Sequence, residues 1–149
     1  MGADLAYADL RFAVWPHANL SEARLVHASL MSADLADSQL REVNLSGSTL
    51  SGTRLMRSDL RSADLTGAEP DNARLTGANL TRANLTHANL KGADLAGADL
   101  QGANLTDADL THANLAGANL RGANRTRTKF TTEEDWSIPA PDSTESSAG

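Results

Sequence analysis

Leucine recurs at every fifth position from Leu5 to Leu120, with Trp15 and Pro70 the two exceptions among 24 sites. Two residues before each of these sites stands a small residue: Ala in 19 cases, and otherwise the consecutive run Ser38, Val43, Ser48, Thr53, Ser58. The phase never slips. Such a pattern suits neither regular element. An α-helix turns about 100° per residue, so a spacing of five carries successive leucines round the cylinder and leaves no apolar stripe. A straight strand alternates with period two, so an odd spacing sends successive leucines to opposite faces. Ala and Leu within one pentad, however, are two apart and share a face of a short extended segment. If the other three residues turn a corner, the next pair faces inward again.

The corner chemistry agrees. Nine of the eleven glycines fall two residues after a leucine site, where a positive φ is tolerated. Asn or Asp precedes the site in 16 of the 24 pentads, and both side chains hydrogen-bond locally in turns. Fixed-period self-similarity of this kind marks a solenoid, in which each unit touches only its neighbours.

Ala78-Asn79-Leu80, Ala83-Asn84-Leu85 and Ala93-Asp94-Leu95 carry the motif Ala-Asx-Leu-x-x, which resembles the pentapeptide-repeat family over residues 3 to 125. The resemblance implies an all-β fold, a right-handed quadrilateral parallel β-helix with four pentads per coil and about six coils. Residues 1–130 are expected to form the β-helix and 131–149 a C-terminal cap and mobile tail, with Trp136 over the last coil. Pro70 lacks a backbone donor, so the ladder is expected to weaken or bend there.

Composition and charge narrow the function. The chain of 149 residues has no cysteine, 3% aromatics and a net charge of −6, the last arguing against binding nucleic acid by counterion release. No apolar run approaches the roughly 20 residues that span a bilayer, and a cytoplasmic protein without membrane contact is expected. On the four-sided coil the histidines do not converge: His27 and His87 share a side but lie about 14 Å apart, and His17 and His112 occupy two others. No metal site, catalytic triad or cofactor is therefore expected, and a rod filled by leucine offers no pocket for an enzyme. The acid pairs Asp34/Asp37 and Asp107/Asp109 read as solvated turn residues rather than acid and base.

What remains is the exterior. Asp4 and Asp64 on one side, with Asp9, Glu69, Asp71 and Asp109 on the next, are candidate acidic faces, within a repeat region holding 14 acids and 11 bases. Arg54, Arg57 and Arg74, beside Arg41, Arg61 and Arg82, form a candidate basic patch around the middle coils. Tyr7, Phe12, Val14 and Trp136 are candidates for self-association, as a homodimer through a coil end. The expected function is a non-catalytic protein-interaction module. Resemblance to the quinolone-resistance and gyrase-protecting branch of the family implies a DNA-mimicking protein that binds DNA gyrase, the acids standing in for phosphates. The alternative is a generic interaction scaffold with an unidentified protein partner.

Overall fold

A computed structural model describes residues 2–131. Its defining register is a step of twenty: Asp4 bridges Arg24, Asp9 bridges Ser29, Val14 bridges Asp34 and Asn19 bridges Gln39, all parallel, and the series continues to Asp109 with Lys129. Four pentads therefore close one coil, as the resemblance implies. Coils one to six span 3–22, 23–42, 43–62, 63–82, 83–102 and 103–122, and a half coil follows over 123–131. The four sides are numbered from the one holding Leu5. Each corner takes the number of the side it follows, so the fourth corner holds Ser21-Glu22, Arg41-Glu42, Arg61-Ser62, Thr81-Arg82, Gln101-Gly102 and Arg121-Gly122.

Each pentad repeats one hydrogen-bond set. In the second coil the Leu25 N–H donates to the Asn44 carbonyl at 2.7 Å and the His27 N–H to the Ser46 carbonyl at 3.0 Å, while Asn44 N–H donates back to Ala23 at 2.9 Å. The corner closes on itself: Ala28 N–H donates to Leu25 C=O at 3.0 Å. The third residue of this four-residue turn must take a positive φ. Every fifth residue from Tyr7 to Arg127 does so, with φ between 53° and 69°. Glycine fills this slot nine times, but Tyr7, His17, Glu42, Arg57 and Asp107 adopt the same left-handed geometry. The coil thus imposes the conformation whatever the residue.

Inside, every Leu from Leu25 to Leu110 is at most 3% exposed, and Pro70 is buried among them. Burial of each leucine contributes about 1.5–3 kcal/mol of transfer free energy. Where Ala gives way to a hydroxyl, the hydroxyl finds a carbonyl: Ser48 donates to Leu45 at 2.6 Å, Thr53 to Leu30 at 2.8 Å and Ser58 to Leu55 at 2.7 Å. A hydrogen bond thus offsets the desolvation of each of these three buried oxygens.

Pro70 weakens the ladder by a single bond. The bridge between Glu69 and Asn89 is missing among the described residues, yet Asn89 N–H still donates to Ala68 at 2.9 Å and Ala73 N–H to Pro70 C=O at 3.1 Å. Register carries straight through, because only the bond that needed a proline N–H is lost. The half coil is also formed: Leu110 N–H donates to Lys129 C=O at 2.8 Å, and Thr128 Oγ1 donates to the Leu105 carbonyl at 2.7 Å. The expected C-terminal cap and tail, Trp136 included, lie outside the described residues apart from Thr131.

Candidate interaction faces

The Asx of each motif is first a turn residue. Every Asn or Asp preceding a core site, from Asp4 to Asn124, accepts through Oδ1 the backbone N–H two residues on, at 3.0–3.3 Å. Where Thr follows the leucine of an Asx-containing pentad, its hydroxyl donates to the same oxygen, as from Thr66 to Asp64 and Thr106 to Asn104 at 2.6 Å. The carboxylates of Asp4, Asp9, Asp64 and Asp109 are therefore partly engaged by their own corners.

Three of those acids also face a cation. Asp4 meets Arg24 at 3.1 Å, Asp9 holds Arg11 in a two-pronged contact at 2.7 and 2.8 Å, and Asp109 lies 3.5 Å from Lys91. The Arg11 guanidinium lowers the Asp9 pKa to about 2. Asp64, Glu69 and Asp71 follow one another round the fourth coil with no cation partner among the described residues. The structure thus ties part of the two acidic faces into ion pairs and leaves three acids without a cation, on the first side, second side and second corner of the fourth coil. The half coil adds Arg127 and Lys129, so residues 1–131 hold 14 acids against 13 bases, a sum of −1, and the other five acids lie beyond them.

The candidate basic patch divides in the same way. Arg54 stands 3.6 Å from Asp34, Arg57 grips Asp37 at 2.7 Å, Arg61 grips Asp59 at 2.6 Å, and Arg41 lies 3.4 Å from Glu42. Arg74 and Arg82 have no acid partner among the described residues. Arg54, Arg57 and Arg74 belong to the third side and corner, Arg41, Arg61 and Arg82 to the fourth corner.

Two ladders were not singled out from the sequence. His17, Asp37 and Arg57 stack on the third corner, and His87, Asp107 and Arg127 on the first, each at steps of twenty. Arg127 takes Asp107 at 2.6 and 2.8 Å, and His87 Nε2 lies 3.9 Å from the same carboxylate. Hydrogen bonds from Arg57 and Arg127 hold Asp37 and Asp107 below the ordinary carboxylate range. Asp34, Asp37, Asp107 and Asp109 each face a cation, so the two acid pairs are parts of salt-bridged rows. The signal that finds these ladders is the spacing of twenty, legible once four pentads per coil is known.

Tyr7, Phe12 and Val14 are 72%, 68% and 70% exposed, on the first corner, the second corner and the third side of one coil. They ring the coil without forming one face, and Tyr7 stacks on His27 with ring centroids 5.4 Å apart. Among the described residues no group of three or more His, Asp or Glu could hold a metal ion, and no helix is long and apolar enough to cross a membrane.

The family model described as pentapeptide repeats (8 copies) matches four segments, residues 1–37, 38–69, 71–102 and 98–131. The chain belongs to the pentapeptide-repeat family. Among solved structures, this pentapeptide-repeat chain is similar to a trypsin-treated variant of QnrB1, a plasmid-mediated fluoroquinolone resistance protein. Identity is 20% over 91% of this chain and 70% of that one, with a TM-score of 0.53. Other matches are Rfr23 from the cyanobacterium Cyanothece 51142, 26% identical over 85% of this chain and 90% of that one (TM-score 0.32), and HetL from Nostoc sp. PCC 7120. HetL is 31% identical over 86% of this chain and 81% of that one, with a TM-score of 0.26. No curated protein sequence matches the chain. The likeness to QnrB1 assigns the fold, a right-handed quadrilateral β-helix.

Proposed function

We propose that this pentapeptide-repeat rod is a non-catalytic interaction scaffold that works in the cytoplasm by surface contact with a protein partner. The observation that carries the reading is the separation of roles. Leu and Ala fill the interior to the axis, while charged and polar side chains are sorted into straight rows at steps of twenty along the corners. Rows of fixed spacing on a stiff support suit recognition by complementary charge, which sets specificity and encounter rate. Affinity capture with the full chain, at low and at physiological salt, tests it. A partner retained at low salt and released as salt rises is the expected result, and no partner at either salt would refute the scaffold reading.

A finer reading makes the rod a DNA mimic that binds a topoisomerase such as DNA gyrase. Its support is the fold shared with a fluoroquinolone resistance protein, together with Asp64, Glu69 and Asp71, which face solvent without a cation partner among the described residues. Under this reading those three acids stand in for phosphates. A gyrase supercoiling assay with added protein, with and without a fluoroquinolone, decides it. Inhibition or protection that disappears in Asp64→Asn/Glu69→Gln/Asp71→Asn is expected. No effect at micromolar protein would exclude gyrase and leave the scaffold reading intact.

A further inference from the structure

The fourth corner carries a groove of about 500 Å3 whose lining includes Arg41, Arg61, Arg82 and Arg121. It is open because Gly102 and Gly122 occupy the turn slot of the fifth and sixth coils, where other coils carry a side chain. Arg82 flanks the opening: its Cγ lies 3.6 Å from where a Cβ on Gly102 would stand. Arg121 borders it two coils further on, about 10 Å along the axis.

The four cations are not equivalent. The Arg61 fork is taken by Asp59, at 2.6 and 2.8 Å, and Arg41 lies 3.4 Å from Glu42. Arg82 and Arg121 have no ion-pair partner among the described residues. On a rod whose described part sums to −1, these two cations form a short positive segment rather than one end of a long field. Two exposed guanidinium groups beside an open channel present paired N–H forks, the geometry that takes a carboxylate in two parallel bonds.

We propose that this groove binds an extended acidic segment of a protein partner, with Arg82 and Arg121 as its anchors. The inference rests on the scaffold reading and names the chemistry of the partner. From Arg61 to Arg121 the groove crosses three coils, about 14 Å, which four or five extended residues span. In such a segment alternate side chains point the same way about 6.8 Å apart, so acids two or four places apart bracket the roughly 10 Å between Arg82 and Arg121, a difference that two long arginine side chains take up. Nucleic acid fits less well. No aromatic side chain lines the groove to stack on a base, and Glu22 and Glu42 occupy the same corner at its N-terminal end.

The test uses the full-length protein and three fluorescent probes: a peptide with six consecutive aspartates, the same peptide with asparagines, and an oligothymidine of matched charge. Titration followed by anisotropy at low salt is expected to show saturable binding of the aspartate peptide and none of the asparagine peptide. Arg82→Gln/Arg121→Gln should weaken binding about tenfold or more, while Arg74→Gln, on the third side, leaves it unchanged; far-ultraviolet dichroism checks that each variant is folded. Undiminished binding by the double variant, absence of saturable binding, or preference for oligothymidine over the aspartate peptide would each overturn the proposal. A captured partner that the double variant still retains separates the outcomes, since the scaffold reading then stands without this groove.

Discussion

At the scale of single residues, the turn slot is the most demanding position. A side chain in left-handed geometry costs roughly 1–2 kcal/mol, and glycine escapes that cost. Gly97, with φ +65° and nothing within 4 Å of an added Cβ, isolates the backbone effect. Gly97→Ala should destabilise by about 1 kcal/mol in urea unfolding. Ser62→Gly, in the same slot with φ 56°, should stabilise slightly, the relief of strain exceeding the extra freedom of the unfolded chain. The corner carboxylates set the acid limit. Asp9, Asp37 and Asp107 have pKa values below their ordinary range in the folded rod, so the folded state binds protons less readily than the unfolded chain. Their contribution is complete above about pH 5 and is lost as pH falls toward 2. The thermal midpoint is therefore expected to decline below about pH 4, and Asp37→Asn/Asp107→Asn should flatten that decline; an unchanged profile would remove the ladders from the account.

At the scale of the pentad and the coil, the interior was readable from the chain because one physical requirement repeats without slipping. Leu25, Leu45 and Leu65 occupy equivalent places, so a reading correct for one is correct for all. The exterior was harder to read. Asp64 and Asp109 look like free acids in the sequence, yet each is bound by the corner that follows it, and only the coil closure reveals Lys91 beside Asp109 or Arg57 above Asp37. Neither histidine ladder nor the place of Arg121 follows from residue type alone. Leu60→Ala, deep in the third coil at 0% exposure, should cost about 2–5 kcal/mol, measured by chemical denaturation. Pro70→Leu should act in the other direction, restoring an N–H opposite Asn89 and adding about 1 kcal/mol. A loss of stability in that variant would show that the proline ring, not the missing bond, dominates the site.

At the scale of the whole molecule, stability accumulates coil by coil. Deleting residues 83–102 removes one full turn and joins like to like, so the dichroism spectrum should keep its shape while the urea m-value falls by about one-sixth. A much larger loss of structure would mean that the coils are not interchangeable. The step of twenty has a further consequence for how such a chain changes over time. An outward residue meets its counterparts one storey above and below, and the leucine scaffolding beneath is indifferent to which outward residue is present. Each corner can therefore be rewritten, charge by charge, as a separate line of text, and one rod can offer four different messages without altering the frame that carries them.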